Sequence, residues 1–312
     1  MRCLLEPMRV LAHVHTLNDA EVVAQSLDAL TRQTRPPDAI IIVDNGSTDT
    51  TLDRTFPKCA TVVRNSINLG TSGAIRIGLA HALEHKFDWA WLFDADSVPE
   101  PNALANLLDF YNRLPCQERD RVCFLACRLA TGEAGQRPMN FTEASFEYVP
   151  VDDEPGYSRC DCFIWTGSLF RMSAVAKIGL PSADYVLDLA ELEYGYRARQ
   201  LGFTSYVVSR SVLHQDVGRN PGVVTRTWHL GPLHFRLFEI SPIRCYYHVR
   251  NMLYFWLYQC RPRRPRGILR SIVHAMFFPR TFVIRPISHH RQLIACLRGI
   301  WDGLTMHMER RY

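Results

Sequence analysis

Lysine is scarce in this chain. Lys58, Lys86 and Lys177 are the only three among 36 basic residues, the other 33 being arginine, and the net charge is +5 over 312 residues. So small an excess does not by itself indicate a nucleic-acid binder, and none is expected as a partner. Long apolar runs are missing too: no window of about 18 apolar residues occurs, so no membrane-spanning helix is expected. The opening MRCLLEP has no apolar stretch before Pro7, so no signal peptide is expected. The ten cysteines lack the two-pair spacing of a zinc site, the close pairs being Cys123/Cys127 and Cys160/Cys162. They read as reduced, mostly buried thiols of a cytoplasmic protein. Neither GxGxxG nor GxxxxGK[ST] is present, and no Ser/His/Asp or Cys/His constellation stands out.

What is present is a series of core strands that end in acids or glycines. Residues 89–93 (WAWLF) form an apolar, aromatic run that stops at Asp94 and Asp96. Two carboxylates at the carboxyl end of a core strand suit one hard divalent cation and the phosphate oxygens it would carry. Residues 9–15 (RVLAHVH) read as a first strand closed by Thr16, Leu17, Asn18 and Asp19, before an amphipathic helix over 21–32. Residues 39–43 (AIIIV) are wholly apolar, as in a strand covered on both faces of a parallel sheet, and end in Asp44, Asn45, Gly46, Ser47, Thr48 and Asp49. A third strand over 60–64 leads through Asn68, Leu69, Gly70, Thr71, Ser72 and Gly73 to a helix over 74–84. That loop allows close backbone approach, and Ser72 could act as its N-cap. Strands alternating with helices predict an α/β sandwich, with Thr16, Asn18, Asp44, Asp94 and Asp96 converging on one edge. Asp44, at the end of the second strand, is placed to accept hydrogen bonds from a base or ribose.

The order TLN, VDNGSTD, NLGTSGA and FDADSVP resembles the nucleotide-sugar half of the family 2 glycosyltransferases, inverting enzymes of the GT-A fold, over residues 8–216. The resemblance implies that Asp44 contacts the nucleotide base and that Asp94 and Asp96 bind a Mn²⁺ or Mg²⁺ ion on the diphosphate. Thr16, Asn18, Asn45, Asn68, Gly70, Gly73, Asp94 and Ala95 would line the nucleotide-sugar site. Residues 163–171 (FIWTGSLFR) resemble the central strand and turn that face the donor sugar, which brings in Trp165, Thr166 and Gly167. Residues 185–197 (YVLDLAELEYGYR) resemble the segment that carries the general base. The matching position is Glu191, where the family has aspartate, and the added methylene moves the carboxylate by ~1.5 Å. Asp188 is the second candidate, and it is also a good helix cap. His214, in the loop after a strand over 203–208, matches an imidazole that serves as third metal ligand.

Beyond residue 225 the chain turns aromatic and basic. Residues 241–260 read as a helix whose YYHVRN resembles a segment of rhamnosyl- and galactofuranosyl-transferases, with Arg244 and Arg250 candidates to reach diphosphate or acceptor. Helices over 268–284 and 292–306, edged with Arg and His, suit an anionic membrane surface, a homodimer seam or a simple cap on the core. The expected organisation is a GT-A domain over 8–230 and a helical region over 231–312. The expected function is metal-dependent transfer from a UDP- or dTDP-sugar to a glycan or lipid-linked glycan on the cytoplasmic side. A non-catalytic sugar-nucleotide or glycan-binding module would keep Asp44 and dispense with the base. A nucleotidyltransferase would need a Gly-rich, basic loop after the first strand, which residues 16–19 do not supply.

Overall fold

The computed structural model describes residues 8–130, 138–142, 146–151, 156–215, 223–230, 233–260 and 290–309. Its strands are β1 (Val10–Thr16), β2 (Ala39–Asp44), β3 (Ala60–Arg64), β4 (Trp89–Asp94), β5 (Ser97–Pro99), β6 (Val122–Leu129), β7 (Met139–Phe141), β8 (Phe146–Tyr148), β9 (Tyr157–Cys160), β10 (Ser168–Arg171), β11 (Thr204–Gln215), β12 (Val223–Leu230) and β13 (Leu233–Ile240). The helices used below are α1 (Val23–Thr31), α2 (Gly70–Glu84), α3 (Ala103–Arg113), α4 (Cys116–Arg119), α5 (Met172–Ile178), α6 (Ala190–Gln200), α7 (Pro242–Tyr254) and α8 (His290–Leu304). The chain divides into two compact units. One comprises residues 1–140, 146–183 and 194–215; the other comprises 141–145, 184–193 and 216–312.

The first unit is built on a nine-stranded mixed sheet in the order β3-β2-β1-β4-β10-β6-β11-β5, with β9 also on β11. β1, β2, β3 and β4 run parallel, β10 runs antiparallel between β4 and β6, and β11 is parallel to β6. The pattern AIIIV is buried from Ile40 to Val43, as a strand covered on both faces requires, and each such side chain contributes roughly 1.5–3 kcal/mol by leaving water. Trp89, Trp91 and Phe93 of β4 are likewise buried. Register fixes where the strand ends meet: Thr16 lies beside Asp44, and His15 beside Asp94. The three ends expected to converge therefore share one edge of the sheet.

Helix α2 begins at Gly70, earlier than residue 74, and Asn68 Oδ1 accepts from the Gly70 N–H at 2.8 Å. The N-cap position, Leu69, carries no side-chain cap, and the Ser72 hydroxyl is buried without a partner inside the helix. Strands β5, β7, β8 and β9 are too short to show alternation in the sequence. The helix expected over 268–284 lies outside the described residues.

The second unit contains α7 and α8, packed through Cys245, Tyr246, Val249, Leu253, Ala295 and Cys296. Gly299 and Gly303 let the two helices approach closely. A Cβ at either would lie 2.7 Å from the Tyr246 carbonyl oxygen and 2.9 Å from that of Arg250 respectively. A hairpin, β12–β13, straddles the expected boundary at residue 230, so residues 233–240, expected within a helical region, form a strand paired with the end of the expected GT-A domain. Among the described residues no helix is long and apolar enough to cross a membrane.

Candidate active site

The turn after β4 is held from outside by residues 165–167. The Asp94 N–H donates to Thr166 Oγ1 at 3.1 Å, and Thr166 Oγ1 also meets Ser97 Oγ at 2.8 Å. The Gly167 N–H donates to the Leu92 carbonyl at 2.7 Å, and Trp91 Nε1 donates to the Gly167 carbonyl at 3.2 Å. Gly167 has φ +74°, and a Cβ there would lie 2.8 Å from Leu213 Cδ2, so only glycine fits. Trp165 is buried edge-on against Phe170 and Tyr194. Thr166 thus belongs to the wall of the acidic turn, and Ala95 within that turn is buried.

The two aspartates differ in their surroundings. Both oxygens of Asp94 are engaged: Oδ1 with His15 Nε2 at 3.2 Å and Oδ2 with Gln215 Nε2 at 2.8 Å. Burial pushes the Asp96 carboxyl up from 3.8 to about 6, the Asp94 charge adds to this and the Asp19 charge adds a little more, against opposing hydrogen bonds of which Gln215 supplies the larger. Asp96 is therefore an anion short of positive charge. Gln215 Oε1, left over once Nε2 has donated to Asp94, is buried without a partner. A hard oxygen-seeking cation matches both deficits.

His214 is placed differently from expectation. Its Nε2 lies 3.2 Å from Glu100 Oε1, and its strand position is opposite Val98 while Gln215 is opposite Ser97. Successive strand residues face opposite sides, so the turn receives Gln215 in place of His214. Among the described residues no three His, Cys, Asp or Glu side chains converge as a metal-binding group.

On the nucleotide side, the VDNGSTD turn binds itself and its neighbours. Asp44 is fully buried and accepts from the Ser47 N–H, the Ser47 hydroxyl and the Gly46 N–H, with Arg64 Nε 3.7 Å away. Its carboxylate is occupied by its own turn, so a direct contact with a base is not what this geometry presents. Asn45 joins three elements, accepting from Asn65 Nδ2 at 3.0 Å and donating to the Gly70 carbonyl at 3.2 Å. Asn18, at φ +58°, donates its N–H to Ser47 Oγ and accepts from the Thr48 N–H at 2.8 Å. Thr16 Oγ1 donates to Asp19 Oδ2 at 3.0 Å. Gly73 is buried in α2, where a Cβ would lie 2.5 Å from Leu69 Cβ.

The second unit holds the other expected residues. Asp188 has φ +60° and Leu189 φ +67°, a left-handed pair immediately before α6. Arg244 grips the Asp188 carboxylate from Nε at 3.1 Å and Nη2 at 2.9 Å, with His248 Nδ1 at 3.5 Å. Burial would raise the Asp188 carboxyl, but hydrogen bonds and charge from His248 and Arg244 outweigh it and hold it below 3.8. So firmly ionised an acid is a weak proton acceptor. Glu191 and Glu193 lie in the first turn of α6, where the helix dipole favours carboxylates. Arg250 is fully buried, contrary to its expected role at a diphosphate. Its guanidinium donates to Asn251 Oδ1 and to the carbonyls of Asp184, Met308 and Glu309, and it stacks on Tyr247. Sequence reasoning misses His15 and Gln215: a histidine within an apolar strand, even with His13 two residues before it, does not show which neighbouring strand it will meet, and Gln215 is one residue beyond the expected ligand.

The family model described as glycosyl transferase family 2 matches residues 12–178, more than half the chain. The chain belongs to that family. The match spans the acidic turn and residues 165–167, and ends before the segment with Asp188 and Glu191. Among curated relatives, galactofuranosyltransferase GlfT1 of Mycobacterium tuberculosis strain H37Rv is 33% identical over 207 residues, covering 62% of this chain and 65% of that protein. The Mycolicibacterium smegmatis galactofuranosyltransferase GlfT1 is 31% identical over 203 residues, covering 62% and 66%. Thus the chain spans a little under two thirds of the length of these curated relatives. Among solved structures, S. aureus TarS residues 1–349 bound to UDP-GlcNAc superposes with TM-score 0.56 at 16% identity, covering 96% of this chain and 83% of that one. The Pyrobaculum calidifontis mannosyltransferase PcManGT, bound to GDP-Man and Mn²⁺, gives 0.55 at 14% identity, covering 95% and 87%. These likenesses establish the fold, that of the GT-A glycosyltransferases.

Proposed function

We propose that this protein is a metal-dependent, inverting glycosyltransferase that moves a sugar from a UDP- or dTDP-linked donor to a hydroxyl of a glycan or lipid-linked glycan. The observation that carries this reading is the pair of acids after β4, one clamped and one short of positive charge, in a chain of glycosyl transferase family 2. Galactofuranose is the first donor sugar to try, because the GlfT1 relatives carry that name. The work site is the cytoplasmic side of a membrane, with the basic, partly apolar C-terminal region touching anionic lipid.

The residues that would hold Mn²⁺ or Mg²⁺ are Asp96, Asp94 and Gln215 Oε1; His214 would join them only if the end of β11 turned over. A cation there would neutralise the departing diphosphate, a contribution of several kcal/mol to the barrier. Thr166 and Gly167 fix the acidic turn from the side expected to face the donor sugar, so its carboxylates need not reorganise as charge develops. Glu191 is the proposed general base. It would take the acceptor's hydroxyl proton as the oxygen attacks the anomeric carbon opposite the leaving group, worth ~10²- to 10⁴-fold. Asp188, committed to Arg244, would hold the approach to α6 in shape. Purified protein incubated with UDP-galactofuranose, dTDP-rhamnose and GDP-mannose, each with Mn²⁺ or Mg²⁺, should release UDP or dTDP from one donor only with metal. Release from none of them, with or without acceptor glycans, would end this reading.

A further inference from the structure

Resting on that reading, we propose that His15 is a positioning residue: its Nε2–H holds Asp94 Oδ1, so that Asp94 is gripped from both sides, by β1 and by β11, before donor or metal arrives. The His15 ring is 13% exposed and its Nε2 is 3.2 Å from Asp94 Oδ1, while Gln215 Nε2 holds the other oxygen at 2.8 Å. The Asp94 backbone N–H is fixed independently by Thr166. With side chain and main chain both tied, Asp94 cannot swing about its Cα–Cβ bond when a cation or diphosphate enters next to it.

Three features show that the imidazole is set for this one bond. Parallel register places His15 directly beside Asp94, so the contact follows from the pairing of β1 with β4. The ring stacks on His13 at 5.7 Å between centroids, which limits its rotation. His13 in turn is packed under α2, where a Cβ on Gly78 would lie 2.2 Å from its Nδ1. Finally, His15 Nδ1 is buried with no partner. A buried lone pair there costs less than a buried N–H, and a carboxylate can only accept, so both ends of the ring call for the Nε2–H tautomer. The acids of a metal site hold their positions through such outer partners, whose loss commonly costs 10- to 100-fold in metal affinity.

The test uses two near-isosteric replacements. In His15→Gln the side-chain amide N sits at the Nε2 position, three bonds from Cβ; in His15→Asn it sits one bond short. Mn²⁺ binding is followed by the electron paramagnetic resonance of the free ion at a fixed excess of UDP, and the metal-free melting temperature is measured alongside. The clamp predicts that Gln stays within ~3-fold of the original Mn²⁺ affinity while Asn loses ~10-fold or more, with similar metal-free melting temperatures. Equal affinities for Gln and Asn would overturn it, because a ring that merely fills space does not distinguish the two amides. An original protein that binds neither Mn²⁺ nor UDP would refute the functional reading, and the clamp with it. Intact binding by the original and by both variants would refute the clamp alone.

Discussion

At the scale of single residues, the acidic turn trades stability for readiness. Asp96 titrates at about 6 rather than 3.8, first because it is desolvated and then because Asp94 is close. The folded state thus keeps its proton to higher pH than the unfolded chain. The favourable contribution is complete below pH 3.8 and is lost as pH rises through about 6, so at pH 7 the ionised group strains the metal-free protein. Asp96→Asn is expected to stabilise the metal-free protein at pH 7 by on the order of 1 kcal/mol once partial exposure is allowed for, raising its melting temperature, and to remove metal-stimulated transfer. Thermal unfolding in chelator, beside a donor-turnover assay, reads both effects. A variant that melts lower and still turns over would contradict the assignment. Asp94 and Asp96 are legible in the sequence because an aromatic core strand that stops at two acids must leave both where the sheet meets solvent. His15 and Gln215 are not, because their roles arise from strand register, which joins residues 79 and 121 positions apart from Asp94 in the case of the first and the second.

Among the elements, the aromatic helix α7 is legible in the sequence as a helix, while the partners of its polar residues are not. In sequence its cations look like ligand-binding arms. In the fold its polar stripe faces the segment before α6: Arg244 holds Asp188, Asn251 donates to the carbonyls of Leu187 and Asp188 at 2.9 Å, and Arg250 donates to that of Asp184. One face of one helix therefore shapes the backbone that presents Glu191. A stripe of polar residues on an aromatic helix looks the same in sequence whether it meets a phosphate or a loop of backbone carbonyls. Two outcomes follow. Arg250→Met should cost ~3 kcal/mol or more in urea unfolding, because several buried acceptors lose their donor together; a loss below ~1 kcal/mol would mean that the site is open to water. Asp188, whose folded carboxyl is held below 3.8 by His248 and Arg244 against its burial, contributes stability that is present above pH 3.8 and lost as pH falls below it. Asp188→Asn should flatten the acid limb of the stability–pH curve and leave its shape above pH 5 unchanged.

For the whole molecule, the feature not used by either core is the outer face of α8. Ala295, Cys296, Gly299, Asp302 and Gly303 turn inward, and Tyr246 donates to Asp302 at 2.7 Å. The opposite face leaves Leu293, Leu297, Trp301 and Leu304 exposed at helical spacing, Leu297 by 57% and Trp301 by 66%, with Arg291 and Arg298 among them. In a chain of net charge +5, an apolar stripe edged by arginine has the composition of a helix that lies on an anionic lipid surface. On such a surface apolar insertion would supply affinity and arginine the choice of lipid. Binding should therefore be seen with vesicles containing phosphatidylglycerol and not with pure phosphatidylcholine, and should weaken in high salt as charges are screened. Replacing Leu297 and Trp301 together by serine should abolish co-sedimentation while leaving release of the nucleoside diphosphate unchanged, since neither residue touches the acidic turn in any described contact. Retention of vesicle binding in that variant would locate the lipid contact elsewhere, and binding to neither kind of vesicle would leave α8 as a seam between protein surfaces.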